Sequence, residues 1–410
     1  MKYSVLLLFL YCFNHIWSQP LFQTGADMPS IWIDNNTKHK IIRLTNNNRS
    51  NLSFYFHNTP FVGNKMVYYS TQKTNHIEGK QETYNSNVTD RQLYLLDLNT
   101  LKTERLTNSV LPMQGEIVST KLNEAFYQVK DSVWAVNLST KKTRLVYIFP
   151  KDFKANITTI NADGTLLAGA KSTDGEKELF RKNPNKSDYF NLIYEARLPR
   201  TLFAINIDTK QLNKIFTDSA WLNHIQFSPT NPSLLMFCHE GPWHKVDRIW
   251  TINVNTKKVT QIHKRTIDME IAGHEWFAFD GKTIWYDLQQ PRGQTFFVQG
   301  HHLETGNETK YELQRNEWSV HYTTSHDGKL FAGDGGDPGA VAKAPDGKWI
   351  YLFTPDSTKL KAEKLVNMKR HNYRLEPNVH FTPDNKWIIF RANFEGKENI
   401  YAVEVMTTKD

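Results

Sequence analysis

The chain has 410 residues, and its 50 Lys+Arg against 42 Asp+Glu give a formal charge of +8. Hydrophobic residues at 39% and charged residues at 22% exclude a disordered, collagen-like or coiled-coil chain. Aromatic residues at 13% favour β-structure and sugar-stacking surfaces over a helical bundle, and the modest basic excess suits an anionic partner.

Residues 1–18 read as a signal peptide. Lys2 supplies the positive start, residues 5–13 form an apolar core too short to span a bilayer, and Ser18 is a small residue suited to cleavage. The mature chain, 19–410, is therefore expected to be exported, either periplasmic or secreted. No other apolar run approaches the ~20 residues of a spanning helix, so no membrane span is expected. Cleavage removes Cys12 and leaves Cys238 alone. One thiol builds neither an intrachain disulfide nor a Cys-zinc or CxxC redox site.

From Leu93 onward one phrase recurs: an apolar strand, a polar turn, a basic or polar strand. It reads LYLLDLNTLKTERLT from Leu93, VWAVNLSTKKTRLV from Val133, LFAINIDTKQLNKIF from Leu202 and IWTINVNTKKVTQI from Ile249. FFVQGHHLETGNETKYEL from Phe296, YLFTPDSTKLKAEKL from Tyr351 and the terminal IYAVEV from Ile400 complete the set. Each predicts a hairpin. A second phrase precedes most of them, as in FAFDGKTIWYD from Phe277 and FTPDNKWIIF from Phe381. Its Asp-Gly or Asp-Asn supplies the left-handed turn residues. The two phrases give four strands in a repeat of about 40–50 residues, the length of a propeller blade. The expected fold is all-β: a seven-bladed β-propeller in a single domain over 19–410. Between Lys171 and Arg200 the repeat is stretched by about 20 residues, the mark of a rim insertion that shapes a binding mouth or of a solvated loop.

No Walker loop, GxGxxG opening a helix, HExxH or GxSxG is present, so no nucleotide cofactor is expected. Residues 333–338 are Gly-rich, but no helix follows to present its N-terminus to phosphate. Polar residues stand out in otherwise strand-like sequence: His239-Glu240, Asp247-Arg248, His274-Glu275-Trp276, His321 and Glu376-Pro377-Asn378. In a propeller, equivalent positions of successive blades converge on one axial cavity. Taken singly, His274 beside Trp276, Arg248 beside Asp247 and His239 before Pro242 also suit structural roles. Trp243, Trp276 and Trp318 read as sugar-stacking surfaces or, more commonly in propellers, as core between blades.

The strings WLNH (221–224), FCHEGP (237–242), VDRIW (246–250), GHEWF (273–277), SVHYTTSHDG (319–328) and GDGGDP (333–338) resemble the oligogalacturonate lyase family. EPNVHFTPD and FRANFEG (within 376–396) continue the likeness, whereas the N-terminal half matches only as repeats. That resemblance implies a seven-bladed propeller acting on short uronate oligosaccharides. It places a catalytic histidine on His274, a substrate-carboxylate arginine on Arg248 and a metal-binding histidine on His321. The family's other metal ligands lie in a Gln-x-x-His-Pro-His string, which here reads Tyr373-Arg374-Leu375-Glu376-Pro377-Asn378. Glu376 and Asn378 can offer oxygen beside His321, which suits Mn²⁺ or Ca²⁺. Alternatively the metal is gone and Glu376 has another role.

These residue types suit β-elimination on an acidic oligosaccharide. The C5 hydrogen of a uronate leaves only if its carboxylate is neutralised, which a planar guanidinium such as Arg248 can do bidentately. Neutral imidazole, as at His274, is a suitable proton acceptor near neutral pH, with Glu275 or a backbone carbonyl to fix its tautomer. His239, His224, Tyr189 or Tyr194 could protonate the leaving group, and Tyr194, Arg200, His224 and Trp276 are candidate substrate contacts. The leaving group is a sugar in a lyase and water in a dehydratase. Galacturonate and the glucuronate or iduronate of a sulfated glycan such as ulvan are open as substrates. A non-catalytic glycan- or protein-binding propeller is the other class. Dispersed Lys and Arg and the export signal speak against nucleic acid.

Overall fold

A computed structural model describes residues 28–72, 91–340 and 343–406. The expected signal peptide and its cleavage site lie outside these residues. Strands dominate and fall into seven antiparallel blades, radiating from an axis, numbered here by their order in the chain: 50–105, 114–148, 156–218, 221–261, 271–313, 322–367 and 380–404. Blades 5 and 6 share a single parallel bridge, Glu312 to Lys359. Blade 7 is closed by the N-terminal strand Lys40–Arg43, which pairs with Asn399–Glu404 and so ties the two ends of the chain together.

The outer hairpins share one turn chemistry. Asp97, Asn137, Asn206 and Asn253 each accept two amide N–H groups, from the second and third residues onward. The fifth residue then turns left-handed at Leu101, Lys141, Lys210 and Lys257, with φ of 55–62°. In blade 5 the same place holds Gly306. The side-chain carbonyl replaces the strand ladder where the chain reverses, which is why this position prefers Asn or Asp.

Each blade alone would leave two apolar faces wet. The core therefore forms seven clusters, one for each interface between neighbours. Leu52 and Val118 pack between blades 1 and 2, Ile117 and Phe203 between 2 and 3, Leu202 and Phe237 between 3 and 4. Ile249 and Tyr286 pack between 4 and 5, Trp276 and Tyr351 between 5 and 6, Ile350 and Phe390 between 6 and 7, and Met66 and Ile389 between 7 and 1. Seven interfaces for seven blades require a closed ring.

The stretch between Lys171 and Arg200 is neither extended nor a solvated loop. It folds as a helical hairpin, Asp174–Lys182 and Lys186–Ala196. Thr173 caps the first helix by accepting the Glu176 amide, acids fill its first turn and Arg181 and Lys182 its last. Buried Glu176 pairs with Arg200 and anchors the hairpin to blade 3.

Candidate active site

A cavity of about 1470 Å³ is walled by residues of all seven blades and so lies on the axis. The helical hairpin adds Tyr189 and Phe190 to its wall. Backbone irregularities aim side chains into it. The innermost ladders slip between Asn223 and Gln226 in blade 4 and between Gly273 and Trp276 in blade 5. One residue in each slip is left-handed: His224 at φ 46° and His274 at φ 47°. That conformation costs a residue with a side chain roughly 1–2 kcal/mol. It turns both imidazoles toward the axis rather than into the blade interface.

His274 Nδ1 lies 2.8 Å from Asp287 Oδ1 on the adjacent strand Thr283–Gln289. A carboxylate can only accept, so Nδ1 carries the proton and Nε2 is the basic side. Asp287 thus holds the tautomer, a role expected of Glu275 or a backbone carbonyl. Gly273, register partner of Asp287, has no side chain for a reason. A Cβ there would come within 3.2 Å of both Asp287 Oδ1 and the Trp243 ring, which closes over His274 at 5.2 Å.

Arg248 shares the cavity wall with His274 but is not an open fork. Its Nε donates to Glu275 Oε2 at 2.9 Å, its Nη1 donates to Glu240 Oε1 at 2.6 Å, and Trp243 lies over it. Burial alone would push both glutamates toward their neutral forms. Arg248 outweighs that, helped by His224, and holds both below the usual carboxylate range. The expected bidentate clamp is corrected accordingly: two faces of the guanidinium are already taken by protein.

His321 is fully buried. Its Nδ1 is 2.8 Å from Asp334 Oδ2, and its Nε2 faces the Tyr55 hydroxyl at 3.2 Å and Glu376 Oε2 at 3.8 Å. Burial favours neutral imidazole, but Asp334 and Glu376 prevail and raise its pKa. Its ring is 4.8 Å from that of His274. His57 also joins the wall; burial, then His224 and His321, hold it well below the usual histidine value.

Other expected residues fall elsewhere. His239 is not in the cavity: it stacks on Trp250 at 4.9 Å. Along Leu234–Glu240 successive side chains alternate faces, so Glu240 points to the axis and His239 away. Trp276 is core between blades 5 and 6, not a sugar platform. Tyr194 stands outside the wall, packed on Gly241 beneath Arg197. Arg200 is in the wall, yet its three nitrogens are held by Glu176 and the Leu222 carbonyl. His224 does reach the cavity, 3.4 Å from Glu240.

The expected metal trio does not assemble. Asn378 is fully buried, its Oδ1 accepts the Phe56 amide and its Nδ2 donates to the Glu376 carbonyl. Tyr373 donates to the Asp334 carbonyl, and burial raises its pKa well above the ordinary phenol value. Only His321 and Glu376 of that set face one another. Among the described residues, His224, Cys238 and Glu240 have metal-ligand spacing. There Arg248 already supplies the cation, and burial keeps the Cys238 thiol protonated.

The fold and these buried acid–base groups define a β-propeller enzyme. The family profile described as oligogalacturonate lyase matches residues 32–408. The chain belongs to that family of polysaccharide lyases. An oligogalacturonide lyase of Pectobacterium atrosepticum is 24% identical over 332 residues, 76% of this chain and 82% of the relative. A solved oligogalacturonate lyase in complex with manganese superposes with a TM-score of 0.74 at 22% identity, covering 94% of this chain and 99% of the other. A second, from Vibrio parahaemolyticus, gives 0.73 at 24% identity, covering 96% and 100%. At these identities the two structures speak for the fold. The donors described above do not fit a manganese ion at His321: one imidazole and one carboxylate fall short of a closed oxygen–nitrogen set.

Proposed function

We propose that the chain is an exported lyase acting by β-elimination on uronate-containing oligosaccharides. The observation that carries this reading is His274, fixed by Asp287 through Nδ1 with its basic Nε2 side in a cavity large enough for several sugar rings. Nε2 takes the C5 proton, the C5–H electrons form the C4–C5 double bond, and the C4–O pair departs on the leaving oxygen, which takes a proton from water. The uronate carboxylate must be neutralised before that proton leaves. Guanidinium groups in the wall other than the carboxylate-held Arg248 and Arg200, Arg391 among them, are suited to this. Trp243, in the cavity wall and edge-on to His274, supports an aromatic contact with a sugar ring there.

Uronate oligosaccharides, pectic and ulvan-type, incubated with the full chain should yield shorter fragments bearing a conjugated double bond. Absorbance and mass spectrometry read both features. Loss of water without chain cleavage would make the enzyme a dehydratase, and no unsaturated product from any uronate would leave a glycan-binding propeller. Because the manganese donors are not built, turnover should survive exhaustive chelation, and elemental analysis should find less than one bound metal per chain. Loss of activity restored by Mn²⁺ would overturn that.

A further inference from the structure

Arg391 lies on the strand Trp387–Ala392 of blade 7, is 5% exposed and contributes to the cavity wall. Its Nε donates to the Glu376 carbonyl at 2.7 Å and its Nη1 to the Ser53 carbonyl at 3.2 Å. Both acceptors are neutral. Of the other arginines in the wall, Arg248 is matched by Glu240 and Glu275, and Arg200 by Glu176. Among the described residues no carboxylate oxygen lies within 4.0 Å of the Arg391 guanidinium. A buried cation without a counter-ion is costly, and a guanidinium has five N–H donors, of which carbonyls here engage two.

The surroundings point the same way. Arg391 clamps the segment that carries Tyr55 to the one that carries Glu376. Both of those side chains face His321 Nε2, and the His321 ring is in contact with that of His274. The Glu376 carboxylate turns to His321 instead, and buried Glu116, the carboxylate that does feel the Arg391 charge, gives its Oε2 to the Tyr55 amide and the Asn58 side chain. This guanidinium, with no carboxylate in contact among the described residues, therefore sits beside the place where a manganese site is not built, and His321 links that place to the base.

We infer that Arg391 is the receptor for a substrate carboxylate, and that its guanidinium supplies there the positive charge for which this chain builds no metal site. The inference rests on the elimination reading for its role in turnover, but it is a statement about binding and is tested as such. In a uronate the carboxylate is attached to C5, so an anion seated on Arg391 brings the C5 hydrogen toward His274.

The test is calorimetric titration of the His274→Ala chain, which does not consume substrate, with trigalacturonate and with its carboxyl-reduced neutral counterpart. The acidic sugar should bind at least tenfold tighter. Adding Arg391→Gln should abolish most of that preference while affinity for the neutral sugar stays within about threefold. Should Arg391→Gln fail to fold, Arg391→Lys decides. It keeps the charge but not the planar fork, and should reduce the preference severalfold. A full preference in a folded variant overturns the inference, and so does a parent chain that binds both sugars equally. Failure of the elimination reading shows separately, as absence of unsaturated product from the unmutated enzyme.

Discussion

At the scale of single residues, the proposed elimination rests on a left-handed histidine and its carboxylate. His274→Ala should lower kcat by roughly 10²–10⁴ while oligosaccharide binding persists. Asp287→Asn is the sharper test. An amide can donate as well as accept, so it no longer fixes which ring nitrogen is basic. The variant should bind substrate normally and lose kcat by about 10²-fold or more, measured in steady-state kinetics. Unchanged turnover would remove Asp287 from the mechanism. Arg248 combines stability with position. Arg248→Met would leave Glu240 and Glu275 buried without a cation, a loss of about 3–5 kcal/mol in denaturant melts. Arg248→Lys keeps one charge but cannot span both carboxylates, and should be severely impaired in kcat/KM.

At the scale of elements, the helical hairpin of blade 3 is separable from the sheet. Lys171 and Thr201 are register partners in neighbouring strands, so the chain leaves and rejoins the blade at adjacent points. Replacing residues 173–198 by a two-residue Asn-Gly turn should preserve the blade and its far-UV spectrum. Tyr189 and Phe190 would go from the wall, so KM should rise at least tenfold, with a smaller effect on kcat. An unchanged KM would show that the hairpin takes no part in substrate binding. The helices have a local signature in the sequence: Thr173 followed three residues later by Glu176, with basic residues at the end. The dominant strand repeats mask it. The outer hairpins are legible because their turns are local. Each Asn or Asp reaches only its own next few amides, so the residue type alone marks the reversal.

At the scale of the molecule, the ring closes by burying groups that titrate. His371, in the link between blades 6 and 7, and His380 of blade 7 are buried, and burial depresses them to about 3 and about 4. Unfolded, each takes its proton near 6.5. Their stabilising contribution is therefore complete above that value and is lost as pH falls toward 4. Each group removes about 1.4 kcal/mol per pH unit over that interval. Urea melts between pH 7 and pH 5 should show stability falling with acidity, and His380→Gln should make the fall shallower. A midpoint constant over that range would contradict the assignment.

By itself the sequence determined the blade repeat, the count of seven, the Asn and Asp turns, and the family strings that carry His274, Arg248 and His321. All of these are written in contiguous residues, where local chemistry or periodicity leaves a mark. Only the tertiary structure decided what those side chains face. Strand alternation sent His239 away from the axis and Glu240 toward it, and ladder slips turned His224 and His274 inward. Ring closure brought Tyr55 and His57 of blade 1 and Arg391 of blade 7 to one cavity with His274 of blade 5. Their separations along the chain are far longer than any turn or hairpin, so no local pattern records the meeting. For the same reason the pairing of Arg248 with Glu275 of the next blade, and the lack of a carboxylate contact at Arg391 among the described residues, are properties of the closed ring.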